Sequence, residues 1–316
     1  MPCRCRVARP KKPLHIIIDG DPLVYRAGFA VEQTTYQYVS EDGSLTFPDR
    51  ASLDKYAEKE KIVLDNYNVS VLRTVEPVEN ALQALRTQVR SIISSAYSKY
   101  KPGFYSTHIY ISKGENFRHK IATVAGYKAN RDKLHKPAHY KQLRNALRYD
   151  NAIEVVGREA DDECSIRAHQ FRADGERYVI ATIDKDLDQI PGEHYNYMAH
   201  KFYRVTAEQA NRWFWVQVLA GDTVDNVPGC WRVGLRKAQK FVDDRAIIGF
   251  TDEEMWADIL KEFESSKARP GCKYKERDAA KVALEMARLV KLQTYPGQLW
   301  NPPGEGDGYI EESTSE

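Results

Sequence analysis

At 316 residues, 42% hydrophobic and 29% charged, the chain has enough apolar content for one large core, which excludes a disordered or fibrous class. Its five cysteines are scattered without CxxC or Cys/His spacing, arguing against a disulfide scaffold or a zinc ribbon, and no apolar run approaches the roughly 18 residues of a membrane span. The net charge of +2 hides an uneven distribution: residues 101–148 carry eleven Lys and Arg against Glu115 and Asp132, whereas 151–190 is acid-rich. A basic segment beside an acidic centre suits a protein that grips polyanions and holds cations.

In chain order, the basic MPCRCRVARPKK start reads as a flexible arm over residues 1–13. LHIII (14–18) is short, β-branched and unbroken, the pattern of a buried strand. It runs into Asp19 and Asp21, and a helix through PLVYRAGFA is expected next. YQYVSEDGSLTF (36–47) alternates around an Asp-Gly pair, a hairpin signal. Helices are expected near 50–67 and 77–99, then strands at THIYIS (107–112), AIEVV (152–156) and RYVIATI (177–183). Strands alternating with helices predict an α/β fold with a mostly parallel central sheet over 14–204. From about residue 205 the strand pattern stops. TAEQ carries a Thr-x-x-Gln capping signal, Trp213, Phe214 and Trp215 read as core, and helices near 235–244, 252–264 and 276–292 complete a helical part to about residue 300. The Gly/Pro-rich acidic tail (301–316) reads as disordered.

Carboxylates gather in four places: Asp19 and Asp21; Glu159, Asp161, Asp162 and Glu163 in READDE; Asp184, Asp186 and Asp188 in TIDKDLD; Asp222 and Asp225 in GDTVDN. Acids at one helix start are ordinary, because the exposed N–H groups there carry partial positive charge. Asp19, Glu159 and Asp184, however, each follow a predicted strand, and sites in parallel sheets collect at the carboxyl ends of strands. Two carboxylates about 4 Å apart repel by roughly 4 kcal/mol at an effective dielectric of 20, so such a cluster needs cations or raised pKa values. Hard oxygen ligands favour Mg²⁺, with Mn²⁺ as a substitute, and so many acids favour two ions, an arrangement suited to phosphodiester cleavage.

The basic segment supplies phosphate contacts, with Arg118 and Lys120 among the candidates. In GYKANR (126–131), Lys128 and Arg131 stand three apart, sharing a face if helical, and Tyr127 is placed to stack on a terminal base. GDTVDNVPGCWRVGLRKAQKF (221–241) has the look of a helix–hairpin–helix, offering backbone N–H groups at Gly229 and Gly234 and cations at Arg236 and Lys237 to a phosphate backbone.

Taken in order, Asp19 after the first strand, GYKANR, READDE, TIDKD and GDTVDNVPG resemble the 5′→3′ exonucleases of the flap endonuclease superfamily, above all the bacteriophage enzymes, over residues 14–245. The resemblance implies an α/β nuclease core with a helical DNA-binding part, acting with Mg²⁺ near 5′ ends of DNA and leaving 5′-phosphates. It implies that Asp19, Glu159, Asp161, Asp162, Asp184, Asp186, Asp222 and Asp225 hold the metals. Lys128 and Arg131 would act on the reacting phosphate. Implied substrates are duplex ends and 5′ flaps, with RNA–DNA hybrids left open; no stable protein partner is deducible. The scattered cysteines suit a reducing cytoplasmic setting, of a host cell if the chain is phage-encoded, and the resemblance implies a part in DNA replication or degradation.

Three departures stand out. The family's acid after the second strand falls at Ser112 or Ile111. The hairpin's usual Gly-x-Gly reads Arg232-Val233-Gly234, weakening the case for a monovalent cation bound there. The 113–137 segment is short for a closed arch. A PIN-like ribonuclease and a non-catalytic, structure-specific DNA-binding protein remain the alternatives.

Overall fold

The structure, a computed structural model, describes residues 12–65, 68–133 and 135–310. Along the chain run β1 (Leu14–Asp19), α1 (Asp21–Phe29), β2 (Glu32–Ser40), β3 (Gly43–Phe47), α2 (Arg50–Glu60), β4 (Val69–Val75), α3 (Val78–Tyr100), β5 (Tyr105–Asn116), α4 (Phe117–Ile121), α5 (Tyr140–Tyr149), β6 (Ile153–Gly157), α6 (Ala160–Ala173), β7 (Arg177–Ala181), β8 (Gly192–Asn196), β9 (Lys201–Val205), α7 (Ala207–Ala220), α8 (Leu235–Ile248), α9 (Asp252–Ser266), α10 (Ala279–Val290), β10 (Gln298–Leu299) and β11 (Gly308–Tyr309).

Two compact units emerge. One comprises residues 22–91 and 135–150; the other holds everything else that is described. The helical C-terminal part thus belongs to the same unit as the central sheet, a division different from the linear one expected. The smaller unit is built on the antiparallel sheet β3-β2-β4. The 36–47 hairpin is there, but β4 was missed, because its alternating VSVLRTV faces solvent on nearly every residue.

The larger unit carries the six-stranded sheet β6-β5-β1-β7-β8-β9, parallel except for β9. The four anticipated strands are contiguous in it, from the edge strand β6 to β7. β1 lies between β5 and β7, with Ile16, Ile17 and Ile18 fully buried, which is why its run carries no polar alternation. β8 and β9 escaped notice because GEHYN and KFYRV contain no apolar run. α6 packs over the sheet through Ala160, Cys164 and Ala168, against Ile17, Tyr110, Val155 and Ile180. A second core joins α7 to α10 around Phe214, Trp215, Met255, Phe263 and Met286, so the Trp-Phe-Trp run is core except for the half-buried Trp213.

Capping boxes start α7 (Thr206, Gln209) and α9 (Thr251, Glu254). The arm at 1–11 and the last six residues lie outside the described residues, as do Cys3 and Cys5. Residues 301–310 of the expected disordered tail instead fold back, pairing β11 with β10. No helix among the described residues is long and apolar enough to cross a membrane.

Between α7 and α8 the chain turns through Gly221 (φ 66°) and Gly229 (φ 63°), whose Cα atoms pack face to face; a Cβ on either would enter the other's backbone. Arg232 takes the left-handed conformation as well, at φ 60°, so the backbone of the expected glycine position is kept with an arginine in it. A left-handed L-residue costs about 1–2 kcal/mol, and glycine loses about 0.5–1 kcal/mol more chain entropy on folding. Arg232→Gly should therefore stabilise the protein by about 0.5–1 kcal/mol, measured by urea unfolding.

Candidate active site

The carboxyl edge of the sheet collects the acids. Asp19 ends β1, Glu159 is the N-cap of α6 after β6, and Asp184 caps the turn after β7 by accepting from Asp186 N (2.9 Å). Asp222 sits past α7, its Oδ1 accepting from Val224 N (2.7 Å). A cleft there is lined by Tyr127, Glu159, Asp161, Asp186, Gln217, Asp222 and Asp225. It is shallow. A roomier cavity of about 580 Å³ lies at the opposite, amino ends of β1 and β7, beside Tyr100, Arg177 and Glu193, and holds none of these acids.

Crowding shows in the proton affinities. Burial, then Asp21 and Asp184, push the Asp19 carboxyl well above its ordinary range. Burial, then Asp19 and Asp184, do the same for Asp161. Burial first, and Asp225 and Asp222 after it, raise Asp184. Burial, Asp184 and Asp222 lift Asp186 to about 8. This edge is short of positive charge, and its donors are hard carboxylate oxygens. Among the described residues no three His, Cys, Asp or Glu side chains stand placed to hold an ion as they are. The donor set is chemically of the kind that hard divalent cations take.

The cations stand among these acids. Lys128 Nζ bonds Glu159 and lies 3.4 Å from Asp225, and Arg131 bonds Asp225. Burial raises the Glu159 carboxyl, but Lys128 and Arg118 outweigh it and hold the group below its usual range. Lys128 itself has φ 55° and donates its N–H to Asp225 O (2.9 Å), while Asn226 Nδ2 donates to Gly126 O (2.8 Å). The GYKANR segment is thus pinned to the 222–226 turn. It forms a short 3-10 turn at Ala129–Lys133, and a turn, not an α-helical face, brings both Lys128 and Arg131 to Asp225.

Four expectations need correction. Tyr127 is not a base platform: it is 5% exposed, and its hydroxyl lies 2.9 Å from Glu159 Oε2 and 2.7 Å from Asp225 Oδ2. Arg118 is not a DNA contact: it is 2% exposed and grips Asp162 through two bonds of 2.6 and 2.8 Å. Asp162 is therefore not a metal ligand, since it is fully buried and both its oxygens are already bonded. Gly229 is buried against Gly221 and offers no surface to a phosphate.

Lys120, Gly234, Arg236 and Lys237 are exposed, and Gly234 starts α8 without a side-chain cap. Ser112 accepts from Ala160 N (2.9 Å), so its hydroxyl caps α6; its own N–H donates to Asp21 Oδ2 (3.0 Å). Two supporting residues were missed. Asn116 donates to Glu159 Oε1 (2.8 Å), and Gln217 donates to Asp186 Oδ1 (2.8 Å). Gln217 had a signal, being a polar residue inside the apolar run WVQVLA.

No family model matches the chain. It is 26% identical over 212 residues to the thermostable DNA polymerase I of Thermus aquaticus, covering 62% of this chain and 25% of that protein. It is 23% identical over 207 residues to a 5′-3′ exonuclease of Buchnera aphidicola subsp. Schizaphis graminum, covering 58% of this chain and 70% of that one. The chain thus spans about a quarter of the length of the first curated relatives it matches. Among solved structures, the bacteriophage T5 5′-exonuclease with zinc bound superposes with a TM-score of 0.53 at 15% identity, over 89% of this chain and 90% of the other. The T5 flap endonuclease in a complex with DNA and metal ions gives 0.54 at 14%, with the same coverage.

Proposed function

We propose that this chain, which has the fold of the phage T5 5′-exonuclease and resembles the 5′→3′ exonucleases in sequence, is itself a divalent-metal-dependent 5′→3′ exonuclease and flap endonuclease acting on DNA. The observation that carries the proposal is the gathering of Asp19, Glu159, Asp161, Asp184, Asp186, Asp222 and Asp225, from separate segments, on one edge of the sheet, with Lys128 and Arg131 among them.

Those carboxylates would hold two Mg²⁺ ions. Such ions neutralise a scissile phosphate, activate water and stabilise the leaving oxygen. The chain's own residues do the rest. Lys128 and Arg131 present positive charge at the mouth of the acid cluster, where a phosphate brings negative charge. Asn116 and Gln217 hold Glu159 and Asp186 in position. Arg236, Lys237 and the uncapped start of α8 bind the duplex backbone without reading bases. Cleavage leaves 5′-phosphates, in the replication or breakdown of phage DNA.

The test uses 5′-labelled and 3′-labelled duplex, flap and single-stranded DNA and RNA, with Mg²⁺ or EDTA. Products released from the 5′ end of DNA in Mg²⁺ alone support the reading; preference for RNA, or binding without cleavage, overturns it. Within it, Lys128→Ala should lower the single-turnover rate on the order of 10²-fold with little change in Kd, as for loss of one group aimed at developing charge. Arg236→Ala should instead weaken binding and flatten its salt dependence by about one counterion.

A further inference from the structure

At the other end of β1, away from the carboxylates, three donor atoms face one another. His15 on β1 and Ser106 on β5 are register partners in the parallel pair, and His108 lies two residues beyond Ser106 on the same face. His15 Nδ1 is 2.8 Å from Ser106 Oγ and 3.2 Å from His108 Nε2, and Ser106 Oγ is 2.9 Å from His108 Nε2. Two imidazole nitrogens bound to one tetrahedral ion at about 2.0–2.1 Å would lie about 3.3 Å apart. The triangle therefore already has the span of three ligands around one small cation.

The surroundings favour that use. Glu176 Oε2 stands 3.4 Å from His15 Nε2, placed to accept its N–H in the tautomer that turns the Nδ1 lone pair toward Ser106 and His108. A carboxylate on the far nitrogen of a ligating histidine is the usual support for a bound metal. Phe171 stacks on the His15 ring at 3.8 Å and 7° and fixes its plane. Burial, and His15 after it, hold His108 down to about 4, so the ring is neutral, and its Nε2 tautomer decides which of the three atoms donates before an ion arrives. The opposing charge nearby is Arg167, which is bonded to Glu163 (2.8 Å).

We propose that His15, His108 and Ser106 bind one borderline divalent transition metal, Zn²⁺, Ni²⁺ or Co²⁺, with Glu176 as a positioning residue and solvent completing the coordination. Imidazole nitrogens suit these ions and not Mg²⁺, so the site is chemically separate from the carboxylate edge. Binding takes up three lone pairs, two from imidazole nitrogens and one from the hydroxyl oxygen, which keeps its proton. The ion would tie β1 to β5 and raise stability by mass action.

The test titrates the full chain, with any affinity tag removed, with Co²⁺ in millimolar Mg²⁺, following visible absorption and Tm. An Asp184→Asn/Asp186→Asn background, with Mg²⁺ in excess, weakens cobalt binding at the carboxylate edge, and any that remains is set apart by its insensitivity to the histidine substitutions. Expected are one equivalent of Co²⁺ with d–d bands and no sulfur-to-cobalt band, and a Tm increase. His15→Ala and His108→Ala should abolish both, and Glu176→Gln should weaken binding 10–100-fold. Should His15→Ala fail to fold, His15→Asn and histidine ring-proton NMR of the wild type in Zn²⁺ replace it. Cobalt binding unaffected by either histidine substitution, thiolate bands, or no binding in the Asn background would reduce the cluster to a hydrogen-bond network and overturn the proposal.

Discussion

Asp186→Asn is expected to abolish cleavage and also to stabilise the protein in EDTA at alkaline pH. Loss of one ligating carboxylate removes several kcal/mol of transition-state stabilisation, a fall on the order of 10³-fold or more in single-turnover rate. DNA binding should hold or tighten, because a repelling charge is gone. The stability effect follows from burial, Asp184 and Asp222, which raise the Asp186 carboxyl to about 8. An acid whose folded pKa lies above its unfolded value of about 4 binds protons more tightly when folded, so its contribution is full at low pH and is lost as pH rises between the two values. Taken alone, a shift of about four units bounds the loss at about 5 kcal/mol; titration coupled to the raised Asp184 brings the expected loss to about 1–3 kcal/mol. The wild type in EDTA should therefore melt several degrees lower at pH 8.5 than at pH 6, with Mg²⁺ restoring the difference. Asp186→Asn should flatten that slope. A pH-independent melting point in EDTA, or near-normal cleavage by Asp186→Asn, would show that these carboxylates do not share one crowded site.

The legible parts of the fold were those with one-dimensional causes. β1 is buried along nearly its whole length, and β5, β6 and β7 carry buried apolar stretches that read as strand runs, whereas the solvated β4 and the polar GEHYN and KFYRV of β8 and β9 carry no such run. Helix starts were legible where a side chain caps its own helix, as at Thr206. The acids were legible because they follow strand ends, a matter of local order. What escaped was pairing across long separations. Nothing local tells that Tyr127 turns its hydroxyl onto Glu159 and Asp225 instead of outward, or that Ser112 caps a helix starting 48 residues later. Charge patterning was blind to burial for the same reason: READDE contains an acid that faces the carboxylate cleft, Asp161, and its neighbour Asp162, which turns the other way into the core.

Arg118→Ala should destabilise the protein by about 3–5 kcal/mol, the largest stability loss expected of any basic residue in the 101–148 segment. The guanidinium is fully enclosed, and its remaining Nη1 hydrogen faces Glu159 Oε2 at 3.8 Å. It forks onto Asp162, donates through Nε to Leu289 O (2.8 Å) and through Nη2 to Lys291 O (2.9 Å), and lies 4.6 Å from the Phe117 ring centroid. Asp162 in turn accepts from Glu159 N (3.1 Å) and Gln293 N (3.1 Å). One ion pair thus joins α4, the start of α6 and the end of α10. Removing the arginine leaves a buried carboxylate without its counter-charge and two carbonyls without donors, the situation in which a broken buried pair costs most. Arg118→Lys keeps the charge but cannot fork, and should recover only part of the loss. Arg118→Met with Asp162→Asn removes both charges and should be more stable than Arg118→Ala alone. Urea unfolding measures all three, and a salt titration of DNA binding separates the structural role from a phosphate contact. If Arg118→Ala flattened the salt dependence by one counterion while leaving the unfolding midpoint unchanged, the arginine would be a phosphate ligand after all. The geometry points the other way. Because Asp162 caps the turn that carries Glu159 and Asp161, the variant that folds least well should also lose cleavage out of proportion to its DNA affinity.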